Sequence, residues 1–134
     1  MKCWKIHTAY AQGNRNYEKL AHEVKNPGVS QTPSESDGSN AEAGKVKMPQ
    51  IDIDFKKLQS INPDAVAWLY CPDTVIDYPV MRADDYGYYL NHLPDGTYNA
   101  NGSLFLDYNN PSDFSGGLNI VYGHNMNSGK MFGS

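Results

Sequence analysis

Residues 26–50 offer only Val29, Ala41, Ala43, Val46 and Met48 as aliphatic side chains, set among Ser, Pro, Gly, Glu and Asn. Such a stretch cannot bury enough apolar surface to offset the entropy of ordering it. It reads as a flexible linker, and it divides the chain into an N-terminal segment, 1–25, and a globular part, 51–134. A core must come mainly from the second part. The composition permits one, at 40% apolar and 19% charged over 134 residues, and this length allows a single ordinary domain at most.

In the first segment Tyr17, Leu20, Ala21 and Val24 follow the i, i+3, i+4, i+7 spacing of one helical face. Asn16 is the expected cap and Asn26-Pro27-Gly28 the expected stop. A face so narrow needs a partner to be stable in water. Past Ile51, breakers recur at short intervals, so the elements must be short. Ile51, Phe55 and Leu58 share a helical face capped by Asp52 or Asp54 and stopped at Asn62-Pro63. Residues 66–69 form an apolar run, and a turn at Pro72-Asp73 leads into a strand over 74–81. There Ile76, Tyr78 and Val80 alternate with Asp77 and Pro79, and Pro79 predicts an edge or a bulge. Asp84 is the expected cap of a short helix with the stripe Tyr86, Tyr89, Leu90 and Leu93. Asn101-Gly102 signals a tight turn before a strand over 103–107. A loop over 109–117 then precedes a buried strand over 118–122. The pattern is mostly β with short helices, open or barrel-like.

Charge and cysteine content exclude several functions. Eleven Lys and Arg against fifteen Asp and Glu leave a net charge of −4. With Arg15 and Arg82 as the arginines, no basic stripe is available for nucleic acid. The longest apolar run, 65–71, is too short to span a bilayer, and Lys2 and Lys5 are not followed by the apolar stretch of a signal peptide. Cys3 and Cys71 form no C-x-x-C pair, so neither a zinc site nor a disulfide framework is indicated. No cofactor is implied.

His124 is the sharpest candidate for chemistry. It follows Gly123 at the end of an apolar strand, where a rigid element hands over to a loop, and an imidazole there can exchange a proton near neutral pH. The plainer alternative is a histidine that caps the strand end by bonding to a nearby carbonyl. Cys71 and His124 together suggest a thiolate–imidazolium dyad. Against it, Cys71 has the surroundings of a half-buried strand residue with no nearby cation to lower its pKa. Metal readings fail on spacing. His92 and His124 are isolated, Asp107-x-Asn109 runs into Pro111 and Ser112 where a calcium loop needs an acid and a Gly, and Asp52-x-Asp54 is better explained as a helix cap. The ten tyrosines can pack core and rim or line a peptide groove.

Several words of the sequence, in order, resemble one family. They are Ile61-Asn62-Pro63-Asp64, Trp68, Ile76-Asp77-Tyr78-Pro79-Val80, Tyr88-Tyr89-Leu90-Asn91-His92 and Gly102-Ser103-Leu104-Phe105-Leu106-Asp107-Tyr108. The most specific is Ile120-Val121-Tyr122-Gly123-His124-Asn125-Met126, with Gly129, Met131, Phe132 and Gly133 behind it. Over 52–134 the chain resembles the N-terminal portion of a class B sortase domain, and the helix around Tyr17 resembles the segment between membrane anchor and catalytic domain. The resemblance implies part of a β-barrel and a cysteine transpeptidase on the outer face of the Gram-positive cytoplasmic membrane, at the cell surface. Such an enzyme cleaves a C-terminal sorting motif of a secreted protein through a thioester, then passes the acyl group to an amine of a peptidoglycan precursor or a pilin. It places the family's acid/base at His124. It places the nucleophilic Cys and the Arg downstream of Ser134, so neither Cys71 nor Arg82 takes those roles and this chain alone is expected to be inactive. Two other readings stand beside it: a non-catalytic peptide-binding module, and a small Cys71–His124 hydrolase.

Overall fold

The computed structural model describes residues 2–25 and 51–133. It contains a helix α1 (Lys2–Val24), a helix α2 (Phe55–Ile61), strands β1 (Ala65–Tyr70) and β2 (Asp77–Met81), a 3₁₀ turn (Tyr88–Leu90), and strands β3 (Leu104–Leu106) and β4 (Val121–Tyr122). The strands form one four-stranded sheet in the order β1-β2-β3-β4. Neighbours are antiparallel except for the parallel pair β2–β3, in which Val80 lies opposite Leu104. The mostly β reading holds, but the sheet is open, with β1 and β4 at its edges. The linker expected over 26–50 lies outside the described residues.

Both faces of the sheet are covered, which explains why the strands are apolar runs and not clean alternations. Tyr78, Val80, Leu104 and Leu106 pack on one face with Tyr17, Leu93, Met126 and Met131. Ala65, Met81 and Phe105 pack on the other with Leu20, Val24, Leu58 and Tyr89. α1 thus finds the partner its stripe required. It starts well before Asn16, which lies inside the helix and donates its amide to Asp95. Gly13 extends the stripe by one turn: a Cβ there would stand 2.1 Å from the Asn101 amide nitrogen, so only glycine lets α1 lie this close to the 99–102 turn. Tyr17 donates its hydroxyl to the Gly102 carbonyl. At the helix end, Lys25 pairs with Asp77, and the Trp68 indole N–H donates to the same carboxylate at 2.8 Å.

α2 is capped by Asp54, which accepts the Lys57 N–H at 3.0 Å, and it ends at Asn62 in extended backbone. The words around Asn62 and Tyr89 meet in space. Tyr89 donates its hydroxyl to Asp64 at 2.7 Å and accepts from the Asn62 amide at 2.9 Å.

Three local expectations are corrected. β2 is an interior strand, not an edge. Cys71 N–H donates to the Ile76 carbonyl, so the antiparallel alternation leaves Pro79 opposite Trp68 at a position where no bond to β1 is needed. On its other side the β3 ladder begins only at Val80, and the bulge lies in β1, between Ala65 and Ala67. Asp84 caps nothing. Asp85 accepts the Gly87 and Tyr88 N–H groups at 2.6 and 2.8 Å instead, and the element is a single 3₁₀ turn. The strand expected over 118–122 pairs only at Val121 and Tyr122, with Leu118 and Ile120 exposed.

Candidate active site around His124

His124 is the second residue past β4, and two features of the sequence fix it there. Gly123 admits the Leu104 and Phe132 side chains where a Cβ would stand, 2.3 Å from Leu104 Cδ2 and 2.7 Å from the Phe132 ring. Beyond it the chain folds back, with Asn125 bridged to Met131 and the Phe132 N–H donating to the His124 carbonyl at 3.1 Å.

Among the described residues, one hydrogen bond holds the ring itself. His124 Nε2 lies 2.8 Å from the Leu90 carbonyl oxygen. A carbonyl only accepts, so Nε2 carries the hydrogen, and in the neutral ring the lone pair sits on Nδ1. The carbonyl-capping alternative is therefore part of the geometry, and it leaves Nδ1 available for proton exchange.

Tyr86, Leu90, Phe105, Tyr122 and Gly123 line a groove of about 420 Å³, which His124 adjoins through its chain neighbour Gly123 and its hydrogen-bond partner Leu90. Tyr122 stacks on Phe105 with centroids 5.3 Å apart, and Tyr86 meets Tyr122 edge-on at 5.8 Å. Asp107 ties the tyrosines down, accepting both the Tyr86 and Tyr122 hydroxyls at 3.1 Å. The Asn109 backbone N–H and the two hydroxyls keep the Asp107 carboxyl below its ordinary pKa. In return Asp107 raises the Tyr122 phenol, while Tyr86 is raised by burial and then by Asp107.

The remaining candidates lie elsewhere. Cys71 is a free, exposed thiol just past β1, not a half-buried strand residue. β1 and β4 are opposite edges of the sheet, so three strand spacings, roughly 14 Å, separate Cys71 from His124. No dyad forms. His92 stacks on Tyr88 at 4.0 Å and bonds through Nδ1 to the Tyr88 carbonyl at 2.6 Å. Arg82 donates to the Tyr108 and Asn110 carbonyls at 2.9 and 3.2 Å and so braces the loop after β3. Among the described residues no cluster of His, Cys, Asp and Glu is arranged to hold a metal, and no helix is long and apolar enough to cross a membrane. Asp107, Tyr86, Tyr122 and Leu90 were not singled out from sequence as site residues. Asp107 was weighed there only as a calcium ligand, and no spacing signal links it to residues 21 positions before and 15 after.

No protein-family model matches the chain. Two curated proteins do: sortase B of Listeria monocytogenes, 43% identical over 83 residues, and sortase B of Staphylococcus aureus, 32% identical over 78. The match is to class B sortases. The sortase B match covers 62% of this chain and 34% of the Listeria protein, and 58% and 32% for the Staphylococcus protein. The chain thus spans about a third of the length of these curated relatives. Among solved structures, sortase B from Bacillus anthracis superimposes with a TM-score of 0.71 at 30% identity. That likeness covers 96% of this chain and 54% of the other, so it takes in α1 as well as the sheet. A Streptococcus pyogenes class B sortase involved in pilus biogenesis gives 0.57 at 39% identity, over 60% of this chain and 44% of that one.

Proposed function

We propose that this chain is the His-bearing part of a class B sortase-like cysteine transpeptidase, with His124 as its acid/base. The observation that supports the reading is the His124–Leu90 bond, which engages Nε2 and leaves Nδ1 without a hydrogen-bond partner among the described residues. In the protonated ring Nδ1–H donates to the departing amide nitrogen as a Cys thiolate forms the thioester. The Nδ1 lone pair then takes a proton from the incoming amine, which displaces the thiolate. The resemblance puts that Cys, and the Arg that would steady the oxyanion, beyond Ser134. The substrate is the sorting-motif peptide of a secreted protein, and the groove beside His124 receives part of it. The acceptor is an amine of a peptidoglycan precursor or a pilin, and the setting is the cell surface.

The groove is lined by aromatic and apolar side chains, and this supports the second reading, a peptide-binding module without catalysis. A cleavage assay of the 134-residue chain with sorting-motif peptides tests both against the small hydrolase. The transpeptidase reading expects no turnover from this chain alone. Turnover that disappears in Cys71→Ala would overturn it in favour of the small hydrolase.

A further inference from the structure

His124 depends on two segments that are distant in sequence. The ring follows Tyr122 and Gly123 out of β4, whereas the carbonyl that holds it belongs to Leu90, four residues after Tyr86. Asp107, the residue after β3, bonds to a tyrosine of each segment. Its carboxylate accepts the Tyr86 hydroxyl at 3.1 Å on both oxygens and the Tyr122 hydroxyl at 3.1 Å on Oδ2. Oδ1 also accepts the Asn109 backbone N–H at 2.8 Å and its side-chain amide at 3.2 Å, and that amide donates to the Tyr86 oxygen at 3.1 Å. Asp107 is 7% exposed, whereas the two tyrosine side chains keep part of their surface open to solvent.

A carboxylate has about four acceptor sites and can serve all these donors together. An amide of the same shape has one oxygen and turns an N–H₂ toward hydroxyls that need an acceptor. Among the described residues the two tyrosines share no other tie of this kind, and their rings meet edge-on.

We infer that Asp107 is a positioning residue for His124. It staples the 84–90 segment to β4, and by doing so it holds the imidazole and the Leu90 carbonyl at bonding distance and keeps the hydrogen on Nε2. The catalytic consequence rests on the reading of His124 as acid/base, but the staple itself does not.

The test is the side-chain tautomer of His124, read by long-range ¹H–¹⁵N correlation on the labelled 134-residue chain at a pH where the ring is neutral. The Nε2–H form should dominate in the native protein. In Asp107→Asn, and in the double variant Tyr86→Phe/Tyr122→Phe, the Nε2–H to Nδ1–H ratio should fall about fivefold, as loss of one ordinary hydrogen bond entails. Val24 and Leu58 resonances, from the α2-side core and outside the 84–90 segment, report that each variant is folded. Should Asp107→Asn unfold, the double variant, which removes only two hydroxyls, decides. An unchanged tautomer ratio in a folded double variant would overturn the staple while leaving peptide cleavage possible. A failure to cleave peptides by the product of the complete coding frame around these residues would sink the proposed function and leave the tautomer shift standing.

Discussion

Gly123→Ala is the most informative single substitution. The backbone at Gly123 is not in the left-handed region, so an added Cβ costs nothing in φ and the whole effect comes from contact. That Cβ would stand 2.3 Å from Leu104 Cδ2 and 2.7 and 2.8 Å from two Phe132 ring carbons. Ordinary carbon contacts begin near 3.5 Å, so neighbours must move by about 1 Å. Phe132 is partly buried and can swing outward, but Leu104 is fully buried, flanked by Val80 and Leu106 in the same cluster. Overpacking of this kind costs about 1–3 kcal/mol, which for a domain of this size lowers Tm by about 4–8 °C per kcal/mol. The strain falls on the residue before His124, so the bond to Leu90 should weaken as well. Urea titration followed by Trp68 fluorescence measures the first effect and the His124 ¹⁵N shifts the second. Gly117→Ala is the control, because nothing lies within 4 Å of its Cβ position. If Gly123→Ala matches Gly117→Ala in stability and leaves the His124 ring unchanged, the packing around the site is not as described.

Tyr17→Phe removes the hydroxyl that serves the Gly102 carbonyl and should destabilise by about 1–2 kcal/mol, since a buried acceptor is left unsatisfied; no change in the urea midpoint would mean that α1 is not docked on the sheet. Stability should fall at both the acid and the alkaline end. Asp107 has a folded pKa below its ordinary value of 3.8, so its contribution is present above that value and is lost as pH falls through the folded one. Tyr17 has a folded pKa raised by burial above its ordinary 10.0, so its contribution is complete below 10 and is lost as pH climbs beyond it. Urea midpoints across pH check both signs, and a midpoint that rises above pH 10 would contradict the burial of Tyr17.

The local elements were legible where one face or one cap decides them. Asp54 caps α2, Leu58 is its buried contact, and the apolar run after Asn62-Pro63 is β1. The stripe from Tyr17 to Val24 correctly identified the buried face of α1, although Gly13 hid its extension because a glycine scores as a breaker until a close neighbour is known. Pro79 misled for a similar reason. A proline argues for an edge only if both flanks of the strand need bonds, and here the β3 ladder begins one residue later. His124 was visible as a candidate from its place at a strand end. The Leu90 carbonyl and the Asp107 carboxylate were not, because their bonds join the β2–β3 crossover and β3 to β4, an approach set by the β2–β3 and β3–β4 pairings together, for which no local signal exists.

The central claim is that His124, and no other residue of this chain, performs the proton transfers of a thioester transpeptidation. The direct measurement is peptide cleavage and transfer to an amine acceptor by the product of the complete coding frame around these residues, as wild type, His124→Ala and Cys71→Ala. The account predicts that His124→Ala lowers the rate by at least about 10²–10⁴-fold while Cys71→Ala matches wild type. Retained activity in His124→Ala, or loss in Cys71→Ala with the fold intact, would contradict it.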